Sequence, residues 1–191
     1  MALVTTLLVA DGHDFVSRSV PHLDLTFSGI TGDRHADPIR RADARTPWHS
    51  RGTPIANTRQ VSIVAVEECA LIAQALGIAY LDPALLGANL VIGGLEGLSQ
   101  LPPATRLKFP SGATIFVTEP NAPCRQPGRK IAAAHGDPDL ELAFPKAALG
   151  LRGLVGLVER EGTVATGDAV KVIAHKYRAE RPAPVRKVPT G

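Results

Sequence analysis

The side chain in this sequence best suited to chemistry is the thiol of Cys124, set in Asn121-Ala-Pro-Cys-Arg-Gln-Pro-Gly128. Prolines at 123 and 127 fix their own φ and narrow the choices of the residue before each, so the thiol sits on a stiff segment. Arg125, Arg129 and Lys130 follow closely in sequence. A nearby cation favours thiolate over thiol, and the thiolate is both the nucleophile and the metal ligand. Cys69 lies in an apolar run instead, where a free cysteine behaves as a small hydrophobe. A second cluster of reactive types is Gly32-Asp33-Arg34-His35. Such a turn can aim an acid, a cation and an imidazole into one pocket, or it can be a solvated charged loop. Arg40, Arg41, Arg45 and Arg51 extend the segment, interleaved with Asp37 and Asp43. Mixed signs favour solvation for most of them, although a guanidinium fork also suits phosphate.

These groups need elements to hold them. Residues 1–10 read as a first strand, and residues 59–66 (RQVSIVAV) alternate and are β-branched, which predicts another. Residues 67–76 predict a helix stopped by Gly77, and Asp82-Pro83 opens a short helical turn. Residues 105–109 and 113–118 flank Pro-Ser-Gly and predict a hairpin. Residues 120–128 read as the loop that carries Cys124, and residues 140–149 as a helix interrupted by Pro145. Residues 31–57 form a long polar loop, a length that is often functional inside a compact domain. Many short strands with glycine turns predict a mainly β domain with inserted helices, closed or nearly closed into a β-barrel, since closure removes exposed edges. One such domain spans residues 1–176, and residues 177–191 form a basic, proline-rich tail.

Composition narrows the function classes. The chain has 191 residues with a net charge of +3 and 4% aromatics, which argues against a nucleic-acid surface. The apolar run at residues 2–10 is too short to span a membrane and lacks the flanks of a signal peptide. Two cysteines make no disulfide framework, so a reducing, cytoplasmic location is expected. The sequence has no Cys-x-x-Cys pair, no His-x-x-x-His pair and no Gly-x-Ser-x-Gly elbow. Gly93-Gly94-Leu95-Glu96-Gly97 does not match the dinucleotide fingerprint, and no βαβ unit is expected around it.

Seven short motifs occur in a telling order: Thr31-Gly-Asp-Arg-His-Ala36, Arg59-Gln-Val-Ser-Ile63, Gly87-Ala-Asn-Leu90, Gly94-Leu95, Leu101-Pro102, Pro123-Cys124 and Gly167-Asp168-Ala-Val170. As an ordered set they resemble the MOSC domain, named for the C-terminal part of molybdenum cofactor sulfurase. The resemblance implies a barrel with a cysteine in its cleft that carries sulfur or binds molybdenum cofactor, and that cysteine falls on Cys124. It implies cofactor contacts from Arg34, His35, Arg59 and Asn89, with Arg152 beside Gly153 added from its place at a strand start, and it makes Cys124 the metal ligand. Ala88 stands where many members carry an acid. No room exists for the sulfurase's aminotransferase-like domain, so no pyridoxal phosphate site is expected here. Nor is there room for the extra N-terminal barrel of the amidoxime-reducing relatives.

Three functions follow. Cys124 ligates molybdenum in a bound pterin cofactor and the protein reduces N-hydroxylated compounds with a reductase partner. Alternatively, Cys124 takes a persulfide from a separate cysteine desulfurase and passes it on. In the third, the cleft binds a small anionic metabolite without catalysis.

Overall fold

In a computed structural model the structure describes residues 1–12 and 14–174. The expected tail lies outside these residues. Thirteen strands and three α-helices follow one another: β1 (Leu3–Val9), β2 (Arg18–Val20), β3 (His22–Thr26), β4 (Gly29–Ile30), β5 (Ile39–Arg41), β6 (Pro54–Ala56), β7 (Val61–Ala65), α1 (Val66–Leu76), β8 (Leu90–Gly93), β9 (Arg106–Lys108), β10 (Thr114–Pro120), α2 (Arg125–His135), α3 (Leu140–Ala147), β11 (Leu154–Arg160), β12 (Gly162–Ala165) and β13 (Lys171–Ile173). Single 3-10 turns occupy Pro83–Leu86 and Leu98–Gln100.

Eight strands form one sheet in the order β13-β9-β10-β11-β7-β8-β1-β2, beside a three-stranded sheet β12-β3-β4 and the hairpin β5-β6. The expected barrel is therefore corrected: the large sheet is open, with the three-residue strands β13 and β2 at its edges. The segment leading into β13 does reach β1, but only through the isolated bridge Leu3–Ala169 and a few backbone bonds such as Val4 N–H to Asp168 O at 2.9 Å. That segment is the Thr166-Gly167-Asp168 turn, with Gly167 at φ +91, and a turn presents too little extended backbone to build a ladder.

The alternation read in residues 59–66 is seen in β7, where Ile63 and Ala65 face one core and Val64 faces the other. The first core lies between the large sheet and the three-stranded sheet, with Leu7, Leu25, Ile30, Leu107 and Ile115 in it. The second lies under the helices, with Ile72, Leu86, Ile131 and Phe144. β7 and β8 pair in parallel, a geometry that requires the crossover supplied by α1. A βαβ unit is thus present where none was expected. The long loop at 31–57 is likewise not structureless, since β5 and β6 pair within it. Among the described residues no helix is long and apolar enough to cross a membrane.

Candidate functional site

A cleft of about 530 Å³ opens where β4 and β10 end and β7, β8 and β11 begin. Its lining includes Cys124, Arg34, His35, Arg59, Asn89 and Arg152, residues up to 118 positions apart in sequence. The structure thus brings these six side chains to a single cavity.

Cys124 ends a loop that is shorter than expected, since residues 125–128 are already helical. It occupies the N-cap position of α2 with extended backbone (φ −139, ψ 172) and makes no side-chain cap bond. The helix begins at Arg125 despite Pro127, because a proline in the first turn removes an N–H that has no intrahelical partner there. Gly128 lets α2 close on α3: a Cβ there would meet Glu141 O at 2.5 Å. Glu141 then draws in Arg125 and Arg129, each at 3.0 Å, while Lys130 pairs with Asp14. These three cations, adjacent to Cys124 in sequence, are therefore engaged elsewhere. The cation at the sulfur is Arg45, whose Nη2 lies 3.7 Å from Sγ and is donated from the turn between β5 and β6. Seventy-nine positions separate the two, and no spacing rule could have joined them.

Arg152 precedes Gly153 at the start of β11. It is 6% exposed, its Nη2 donates to Leu86 O, and its Nη1 has no partner among the described residues. Burial pushes its guanidinium down to about 10, so it remains a cation at neutral pH. Gly153 fixes its direction. At φ +85 a Cβ would lie 2.0 Å from Ile63 O, and the Gly153 N–H donates to Ser99 Oγ at 2.7 Å.

The other arginines differ in how far they are engaged. Arg59 donates to Glu119 at 2.6 Å and to Asn121 Oδ1 at 2.9 Å. Asp43 pairs with both Arg40 (3.6 Å) and Arg45 (3.4 Å), as the mixed signs of the segment suggested, and Arg40 Nε is buried without a partner among the described residues. Asn89 borders the cleft but works for the fold. Its Oδ1 accepts from Ser62 N–H at 3.0 Å, and its Nδ2 donates to Asp33 at 2.7 Å and to Leu8 O at 3.3 Å. His35 is held by Asp33 through Nδ1 at 2.8 Å. Asp33, the acid that the turn could aim into the pocket, is buried behind the lining instead and is the hub of this wall. The missed residues are Arg45 and the wall residue Phe15, which packs on Gly87.

Two expectations are corrected here. A metal held by protein ligands has no support, because no group of three or more His, Cys, Asp or Glu that could hold an ion is present among the described residues. The features of a catalytic cysteine are also not borne out, for the hydrogen bond at Sγ comes from a guanidinium, which can donate but cannot accept a proton. The cleft is instead a cationic one, with Arg34, Arg40, Arg41, Arg45, Arg59 and Arg152 facing Asp37 and Asp43.

The sequence matches the MOSC domain model over residues 49–171. The chain belongs to the MOSC domain family. It is 43% identical over 178 residues, 93% of each chain, to a Bacillus subtilis protein named "Putative metal-sulfur cluster biosynthesis proteins YuaD". The crystal structure of Bacillus subtilis YuaD superposes with a TM-score of 0.90 at 42% identity, covering 92% of this chain and 98% of that one. The YiiM protein of Escherichia coli shares the fold, with a TM-score of 0.61 at 16% identity over 92% of this chain and 71% of its own. The matched segment starts after the Gly32–His35 turn, so that wall of the cleft rests on the structure rather than on the family model.

Proposed function

We propose that the cleft binds a phosphate-bearing molybdenum–pterin cofactor, with Cys124 as the protein's sulfur ligand to the metal. Arg152 carries this reading. A buried guanidinium with no carboxylate and one nitrogen unpartnered among the described residues is costly unless an anion meets it. Here it shares a cleft with a half-buried thiol. The residues fit such a group. A metal that arrives on its own ene-dithiolate needs one soft thiolate, not a cluster of protein ligands, and its phosphate needs guanidinium donors. Arg152 and Arg34 would hold the phosphate, Phe15 and Leu86 would supply the apolar wall, and Arg45 would position the Cys124 sulfur through its Nη2 contact. When bound, the cofactor would supply the redox chemistry, and reduction of N-hydroxylated compounds with an external reductase is the reaction the resemblance points to.

A second reading is favoured by the position of Cys124 at the cleft wall, within reach of Arg45, and by the sulfur-related name of the Bacillus relative. In it the Cys124 thiolate attacks the outer sulfur of a donor persulfide, and the donor leaves as thiolate. A separate cysteine desulfurase would be the donor.

Metal analysis of protein purified from a molybdate-replete host, with cyanide-labile sulfur measured on the same sample, tests both. Near-stoichiometric molybdenum that is lost in Cys124→Ser and Arg152→Met supports the cofactor. One labile sulfur per chain without molybdenum moves the assignment to the carrier. Neither species in the wild type removes both.

A further inference from the structure

Asp33 orients an acceptor into this cleft of donors. Its carboxylate is shut off from solvent and receives four hydrogen bonds. Ala10 N–H and Asn89 Nδ2 reach Oδ2 at 2.9 and 2.7 Å, and the His35 N–H and ring Nδ1 both reach Oδ1 at 2.8 Å. Burial pushes the acid up, but the His35 ring, the Ala10 and His35 N–H groups and the His35 charge together outweigh it and hold Asp33 below the usual range. An ionised carboxylate has no proton to give, so Nδ1 must be the donor. In the neutral form of the ring that leaves the lone pair on Nε2, on the ring edge away from Asp33. The ring is 42% exposed and lines the cleft, and Asn57 Nδ2 steadies it by donating to His35 O at 2.8 Å.

The neighbouring side-chain oxygens already accept from the protein. Asn89 Oδ1 accepts from Ser62, Asn121 Oδ1 from Arg59, and Asn57 Oδ1 from the Arg59 N–H. Of the acids, Asp43 pairs with Arg40 and Arg45, and Asp37 accepts from the Ile39 N–H. For a ligand drawn in by guanidinium groups, the Nε2 lone pair is an acceptor without the negative charge of Asp37 or Asp43.

We propose that His35 selects among anions for those that still carry a proton beside their charge, an O–H, N–H or S–H next to phosphate or thiolate, and that Nε2 receives that proton. The step balances without a co-reactant. The proton passes from X–H to Nε2, the electron pair stays on X, and the imidazolium is stabilised through Nδ1–H by Asp33. His35 is the group that touches the ligand, and Asp33 is the positioning residue. This selection rests on the anionic-cleft reading above.

Hydrogen phosphate and sulfate separate the two ideas, because at about pH 8 both carry a double charge and only the phosphate has an O–H. Calorimetric titration of the full chain should show phosphate bound about tenfold more tightly than sulfate, the worth of one hydrogen bond to a charged group. His35→Ala should bring the two within about twofold and leave sulfate unchanged. In wild type labelled with [15N]histidine, two-bond proton–nitrogen correlation should show His35 protonated on Nδ1, and Asp33→Asn, whose amide can donate, should move the proton to Nε2. An Nε2-protonated wild type, equal binding of the two anions, or a phosphate preference that survives in His35→Ala overturns the proposal. Binding of neither anion removes the anionic cleft itself, and this selection with it.

Discussion

Two regions of the molecule each hold an acid and a thiol. On the cleft side stand Asp33 and Cys124, and under the helices stand Glu68 and Cys69. Both acids are buried, yet Asp33 is held below its ordinary value while Glu68 is pushed above it. The difference lies in the company each keeps. Asp33 has four donors, one of them an imidazole. For Glu68 burial dominates, with Ser99 alone opposing it through its N–H at 2.8 Å and Oγ at 2.7 Å and with Glu67 adding repulsion. The thiols differ in their surroundings. Burial pushes Cys69 up to about 12, with Arg152 opposing, whereas Cys124 is half-buried with Arg45 at its sulfur. For the two acids, equal burial therefore does not mean equal chemistry. The donors around Asp33 stabilise its charge, and the surroundings of Glu68 and Cys69 discourage charge.

The largest effect that would break this comparison is on Asp33. Replacing it by alanine strands the Ala10 and Asn89 donors inside the protein, each of which costs about 1–3 kcal/mol, so Asp33→Ala should lose about 3–5 kcal/mol in urea denaturation. A loss under about 1 kcal/mol would mean the hub is not a hub. The pH dependence has a definite sign. A folded value depressed below 3.8 means the stabilisation is complete above 3.8 and disappears as pH falls through the folded value. The gap between wild type and Asp33→Ala should hold from neutral pH down to about 4 and close only below that.

Next in size is the contrast between the thiols. Alkylation of the native protein should modify Cys124 about a hundredfold faster than Cys69, because Cys69 must await an opening of the helical core. Comparable rates, read by peptide mass spectrometry, would erase the distinction.

How much of this was legible beforehand depended on range. The strand at 61–65, the helix after it and the Thr114 strand show in local alternation and punctuation, signals that act over a few residues. The Gly32–His35 and Cys124 motifs were visible as residue types, and the structure brings them to one cleft. The long-range terms were not legible. Arg125 and Arg129 looked like the cations of Cys124 and instead serve Glu141, because α2 forms where a loop was expected and turns them toward α3. Arg45 looked like one more solvated arginine. The barrel failed for a similar reason: glycine turns predict many strands but not whether the last one meets the first as a ladder or, as here, as a turn at Gly167.

A smaller effect sharpens the acid pair. Glu68→Gln keeps the shape and the acceptor for Ser99 N–H while removing the buried charge, so at neutral pH it should change stability by no more than about 1 kcal/mol. Its pH dependence runs opposite to that of Asp33. A folded value raised above 4.5 gives a contribution that is complete below 4.5 and lost as pH rises through the folded value. Wild type should therefore gain on Glu68→Gln as pH is lowered toward 4.5 and show no further change below it. A gap that widens in the other direction would place Glu68 among the charge-stabilising groups.

The smallest effect expected is at the residue on which function is placed. Cys124→Ser swaps the N-cap of α2 for a better one, since serine oxygen accepts backbone N–H bonds more readily than sulfur does. The gain is limited, because N3 is Pro127 and has no N–H to offer, which leaves the Gln126 N–H as the available donor. Loss of the contact with Arg45 at 3.7 Å works in the other direction, and an exposed pair of this kind is worth little. The two nearly cancel, so thermal and urea midpoints should report a change within about 0.5 kcal/mol, with the sign toward stabilisation. Molybdenum or labile sulfur retained by the wild type should meanwhile be lost altogether. A destabilisation above about 1 kcal/mol would make Cys124 part of the framework that joins α2 to β10, and would return the two cysteines to one class.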